Sequence, residues 1–210
     1  DLRYTGVTNC VFYARGSWLQ GSGDLSETLS NLSTATEVGA RDTDDERTSQ
    51  KYTAGANWYP FRRLSFGGEY YHKIRDNDYD HPLDTTSNLP GSFSRYSAFL
   101  RAQNFTTDDF NFRVTWRPRG NVTLVGRYDL QLSQIETQMD YLASQQSADL
   151  TSHIGSGSFS WVPLARLYVQ GNLSYVHDLT ATPASDLLPA VQDAENDYWT
   201  ANATVGFALD

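Results

Sequence analysis

The sequence predicts an all-β fold: an antiparallel up-and-down transmembrane β-barrel of about eight strands, forming a single domain over residues 1–210, or a segment of a larger barrel. Three observations lead there. Apolar and polar residues alternate with period two over long stretches, which is the strand period. A hairpin built around Trp-x-Pro recurs three times, and short connections alternate with long ones along the chain.

The first strand is expected near residues 6 to 20, with Cys10, Phe12, Ala14 and Trp18 on one face and Asn9, Tyr13, Arg15 and Ser17 on the other. Three hairpins follow, at Trp58-Tyr59-Pro60, Trp116-Arg117-Pro118 and Trp161-Val162-Pro163. Each proline is expected to open a turn of about four residues, Pro60 to Arg63, Pro118 to Asn121 and Pro163 to Arg166, because proline presets φ and cannot donate to a ladder. Six, eight and ten residues after each Trp stand Leu64, Phe66 and Gly68, then Val122, Leu124 and Gly126, then Leu167, Val169 and Gly171.

The incoming arms place Tyr52 to Trp58, Phe110 to Trp116 and Gly155 to Trp161, taken alternately, against Thr53, Gly55 and Asn57, Asn111, Arg113 and Thr115, and Ser156, Ser158 and Ser160. The outgoing arms oppose Phe66, Tyr70 and His72 to Ser65, Glu69 and Lys73; Leu124, Tyr128 and Leu130 to Thr123, Arg127 and Asp129; and Val169, Leu173 and Tyr175 to Gln170, Asn172 and Ser174. A last strand near 197 to 210 sets Trp199, Ala201, Ala203, Val205, Phe207 and Leu209 against Thr200, Asn202 and Thr204. The long connections are expected near 21–46, 78–105, 138–148 and 180–196. Tight turns at one end and long loops at the other are the plan of outer-membrane barrels, whose short turns face the periplasm.

Composition narrows the classes. The chain is 13% aromatic, with 13 Tyr, 10 Phe and 5 Trp, yet its mean hydropathy is -0.53, because apolar residues are interleaved with polar ones. No run approaches the roughly 18 apolar residues of a membrane-spanning helix, so any crossing is made by strands. A net charge of -9 argues against a nucleic-acid partner, which requires clustered Lys and Arg. The lone Cys10 excludes an internal disulfide and any multi-cysteine metal or haem site. The chain opens on strand-like sequence at Asp1-Leu2-Arg3 and ends Phe207-Ala208-Leu209-Asp210 without a terminal aromatic, so it is expected to be a piece of a longer protein.

A soluble β-sandwich of the carbohydrate-binding kind also alternates. Against it stand the strand lengths of about 12 to 15 residues, the tryptophans at strand ends where an interfacial girdle belongs, and a second face carrying charges of both signs.

Candidate functional residues fall into five groups. Arg15, Glu69, Lys73, Arg113, Arg127 and Asp129 point to the polar face, where they would line the lumen and set its field or simply pair with one another. Asp76-Asn77-Asp78-Tyr79-Asp80 resembles the start of a calcium loop, with Asp76, Asp78 and Asp80 as candidate ligands; it departs at His81 and Ser87, where an EF-hand has Gly and Glu. Asp42, Asp44, Asp45 and Glu46 form a second acidic cluster in an expected long loop, and Arg62, Arg63, Arg117, Arg119 and Arg166 cluster at the tight turns. His153, Ser152 and Ser156 combine a base with hydroxyls, but alternation places the base on the opposite face. No enzyme activity and no cofactor is expected.

The alternation, the Trp-x-Pro turns and the Tyr-rich strands resemble bacterial outer-membrane β-barrels over nearly the whole chain. Val11-Phe12-Tyr13-Ala14-Arg15-Gly16, the Trp58 to Gly68 hairpin and Tyr128-Asp129 further resemble large barrels of the porin-sheath type. That resemblance implies outer-membrane lipids around the barrel and a multihaem cytochrome, or another plug protein, within it. Many members carry an N-terminal Cys-x-x-Cys that this chain lacks, and their length is much greater.

Strand number then decides function, since about eight strands give a side-chain-filled interior and 16 or more leave a channel. Gly55, Ser156, Ser158 and Ser160 are too slight to fill a small barrel. The leading expectation is therefore a wide pore or conduit. The alternatives are a closed eight-stranded structural or adhesive barrel, and the soluble sugar-binding module.

Overall fold

A computed structural model describes residues 1–31, 36–84, 100–139, 145–183 and 191–207. These form nine strands and no helix: β1 Leu2–Tyr4, β2 Cys10–Asn31, β3 Thr36–Phe61, β4 Leu64–Asp84, β5 Leu100–Arg119, β6 Val122–Met139, β7 Gln145–Leu164, β8 Leu167–Thr182 and β9 Val191–Phe207. All lie in one sheet in chain order, each antiparallel to the next. The fold is the up-and-down wall of a β-barrel. Among the described residues β9 pairs only with β8, so the wall is open along β1–β2 on one side and β9 on the other. The soluble alternative required two packed sheets, and the closed small barrel required those edges to meet.

The strands outrun their expected bounds. β2 to β9 are 16 to 26 residues long, and the expected connections 21–46 and 78–105 are strand over most of their described length. Asp42, Asp44, Asp45 and Glu46 lie on β3, and Asp76, Asp78 and Asp80 lie on β4 rather than at a loop tip. The reason is that a hydrogen-bond ladder needs no apolar face, so pairing continues where both faces have turned polar. Charge helps: Arg47 meets Asp45 at 2.5 Å, and Arg101 meets Asp80 at 2.8 Å beside the opposed Asp44 and Asp80. Ser87 and Leu209 lie outside the described residues.

At the start of the chain the expected single strand is broken. Asn9 adopts φ 59°, a left-handed conformation that Asn tolerates, and the Cys10 amide closes the turn on the Val7 carbonyl at 3.1 Å.

The prolines sit differently from expectation. Each hairpin turns on two residues, 62–63, 120–121 and 165–166, and the proline lies just before, inside a register shift. The shifts fall between Trp58 and Phe61, Trp116 and Arg119, and Trp161 and Leu164. A proline has no N–H for the ladder, so a one-residue bulge absorbs it at the rim. The residue before each proline bonds sideways to the preceding turn: Tyr59 to Asn9 at 2.8 Å, Arg117 to Arg63 at 2.7 Å and Val162 to Asn121 at 2.9 Å, amide to carbonyl.

Burial is inverted relative to a water-soluble sheet. On the apolar face Trp58 and Trp116 are 50% exposed and Trp199 65%, whereas Thr53, Asn77 and Asp109 on the polar face are buried. Among the described residues only Ala102 and Val176 are buried hydrophobics. Aromatics form two levels on the apolar face. Trp58 stacks on Phe66 at 5.4 Å near the turns, and the Tyr70–Phe110 and Tyr175–Trp199 pairs lie farther along at 4.9 and 4.7 Å.

Candidate functional site: the polar face

Directly paired residues of an antiparallel sheet share a face, so the register assembles the polar side chains into rows. Nearest the tight turns runs Asn57–Gly67–Arg113–Arg127–Ser156–Ser174. Next comes Tyr13–Gly55–Glu69–Asn111–Asp129–Ile154–Val176, and then Arg15–Thr53–Tyr71–Asp109–Gln131–Ser152–Asp178. The row beyond holds Lys51, Lys73, Thr107 and Ser133. Arg15, Glu69, Lys73, Arg113, Arg127 and Asp129 therefore all stand on one face, distributed over four levels.

Their partners differ by level. The Tyr13 hydroxyl donates to Glu69 Oε2 at 2.7 Å, and Asn111 Nδ2 donates to Asp129 Oδ2 at 2.9 Å. The other oxygen of Asp129, Oδ1, is shielded from solvent and accepts no hydrogen bond from a described residue. Lys51 Nζ lies 3.6 Å over the Tyr71 ring. Arg15 meets Asp1 at 2.9 Å in an exposed pair. Arg113 and Arg127 face one another across β5 and β6, and neither forms an ion pair among the described residues.

The polar face is hollowed. One concavity of about 370 Å³ is lined by Tyr13, Asn57, Glu69, Asn111, Arg113 and Arg127. Another of about 420 Å³, at the turn end, is lined by Arg62, Arg63, Arg113 and Arg117 among others. Three of the turn arginines thus belong to a basic recess shared with Arg113. Its electrostatics favour anions near the turns, while Glu69, Asp129 and Asp109 make the middle of the face acidic.

Asp109, Tyr71 and Lys51 were not singled out in the sequence. Alternation from Phe110 and Tyr52 assigns two of them to this face, but nothing in the sequence marks Asp109 as buried. Asp76, Asp78 and Asp80 occupy alternate positions of an extended strand, which spaces successive members roughly 6.5 Å apart, so they do not converge on one ion. Asp80 is engaged by Arg101. Ser152 donates to Asp178 at 2.5 Å on the polar face, while His153 stands on the apolar face.

No protein-family model matches the chain, and a comparison with curated proteins finds no similar sequence. Among solved structures the chain is similar in fold to the copper transporter OprC, an outer-membrane barrel protein, with a TM-score of 0.59 at 11% sequence identity. The match covers 96% of this chain and 39% of that one.

Proposed function

We propose that this chain is a section of the wall of a wide, non-enzymatic barrel in a bacterial outer membrane, whose polar face lines a passage. The observation that carries the reading is the inverted burial: a continuous aromatic and aliphatic face is exposed while the hydrogen-bonded polar face is sheltered. Water does not tolerate a patch of that extent on a monomer, but lipid stabilises it. On β6 the apolar face runs from Val122 to Leu132, eleven residues, which suits a tilted strand crossing of 9 to 11 residues.

Two further points favour a wide barrel. Unpaired backbone groups along β2 and β9 cannot be left in lipid, so further strands are required to close the wall. The fold also aligns with only 39% of a transporter chain, as a section of a larger wall does. A transport role fits a concave polar face with a basic recess at the turn end.

The test is to refold the chain in detergent micelles and compare its SDS gel mobility with and without boiling. A section of a larger wall gives no heat-dependent shift alone, and gives stable conductance steps in planar bilayers only within its complete barrel. A heat-dependent shift of the isolated chain supports a small closed barrel instead. A compact monomer soluble without detergent overturns the membrane reading.

A further inference from the structure

We infer that the rim of the apolar face, on the opposite side of the sheet from the passage, carries a binding site for a divalent transition-metal ion formed by His177, Asp197 and Glu195, with His153 beside them. The register builds it. His153 is paired with His177 across β7 and β8, and His177 with Asp197 across β8 and β9, so these side chains form one row on one face. Glu195 lies two residues from Asp197 on the same strand and therefore on the same face.

The geometry suits an ion. His177 Nδ1 lies 2.8 Å from Asp197 Oδ1 and 3.6 Å from Glu195 Oε1, and one donor atom from each of the three residues lies within 4.8 Å of the others. Donor atoms around a tetrahedral zinc at about 2.0–2.1 Å stand roughly 3.3 Å apart, a value these two separations bracket. The metal would take the place of the imidazole proton now shared with Asp197, and that proton would leave to solvent.

One observation separates this cluster from the Tyr–Asp–His arrangement that Tyr70, Asp108 and His72 form on the same face. Two carboxylates face one imidazole, and among the described residues no Lys or Arg pairs with either of them; the one Lys or Arg between Gln145 and Phe207 is Arg166, in the tight turn at the other end of the sheet. The donor side chains are also held by further hydrogen bonds, as ligands are in metal sites. The Tyr175 hydroxyl donates to Asp197 Oδ1, the oxygen that also meets His177, at 2.6 Å, and Tyr128 Oη lies 2.7 Å from His153 Nδ1, which leaves Nε2 of that ring for a ligand. The His153 and His177 rings are 6.0 Å apart, which places His153 next to the cluster.

Imidazole with carboxylate selects zinc, nickel or copper ions over calcium or magnesium, which take all-oxygen sets. The cluster is exposed, with side-chain exposures of 31% for His177, 49% for Asp197 and 62% for Glu195, and it sits one row beyond the Tyr175–Trp199 aromatic pair, in register with Leu130 near the far end of the apolar band.

The experiment titrates the full chain in detergent with Zn²⁺ by calorimetry, and with Co²⁺ as a spectroscopic probe of nitrogen ligation. About one equivalent is expected to bind, with at least a tenfold loss, roughly 1.4 kcal/mol, in His177→Ala and Asp197→Asn. A smaller loss is expected in His153→Ala and none in Asp76→Asn. Circular dichroism reports whether each variant keeps its strands, and the Co²⁺ spectrum of the wild-type chain tests nitrogen ligation independently of any variant. Unchanged Zn²⁺ affinity in His177→Ala, or competition by Ca²⁺ at equal concentration, overturns the inference. Neither outcome depends on whether the chain forms a passage.

Discussion

Arg113 of β5 stands directly opposite Arg127 of β6 on the polar face. Like charges in a cross-strand pair are destabilising, and no described carboxylate pairs with either guanidinium. A fold selected for stability alone would place an acid at one of these positions. Arg113→Glu is therefore expected to stabilise the sheet by about 0.2–1 kcal/mol, and to move the ion selectivity of the complete barrel toward cations. Reversal potentials in a salt gradient measure the second effect, and an unchanged potential would remove these arginines from the passage.

Lipid exposure of the apolar face makes a prediction opposite to that of water exposure. Phe112 lies mid-strand on that face and is 48% exposed. In a bilayer Phe112→Arg should cost about 2–4 kcal/mol, whereas in a water-soluble sheet it would be neutral or improve solubility. Folding into lipid vesicles, followed by urea titration, distinguishes the two. Thr115→Arg, on the other face of the same strand, serves as the control and should leave insertion intact.

Asp129 receives its one described hydrogen bond from Asn111. Asn111→Ala removes that donor and leaves Asp129 only the neighbouring Asp109 carboxyl, at a cost of about 1–3 kcal/mol. Tyr13→Phe should cost less, about 1 kcal/mol, because Glu69 is better placed to recruit water. Equal unfolding midpoints for the two variants would mean that Asp129 finds another donor.

The Trp-x-Pro repeat joins neighbouring hairpins through the amide of its middle residue. Val162→Pro removes the donor to Asn121 and should destabilise the chain by about 1–3 kcal/mol. Pro163→Ala restores an amide at a bulge that does not require one, and should shift stability by less than about 1 kcal/mol. If the two variants behave alike, the sideways bond between hairpins contributes nothing.

Much of this was legible in the chain. Alternation in Phe110, Phe112, Val114 and Trp116 against Asn111, Arg113 and Thr115 assigned faces that the strand register also assigns. The three hairpins were found at their tryptophans. Less was legible beyond the apolar band: the acidic segments around Asp42 and Asp76 read as loops because neither face is apolar there, yet backbone pairing carries β3 and β4 through them. The turns were also read as opening two residues too early, at the prolines, because a bulge and a turn residue have the same local signature.

What the sequence by itself determined is therefore the period, and with it the face each side chain takes, because alternation is a property of neighbouring residues along one strand. Tertiary structure decided who stands opposite whom. The Arg113–Arg127 opposition, the sharing of Asp129 by Asn111, and the meeting of His153, His177 and Asp197 all depend on register between strands, which couples residues about 14 to 24 positions apart. Whether the sheet closes is likewise set by its edges, β1–β2 and β9, since closure joins the two ends of the strand order and no local pattern along the chain encodes that pairing.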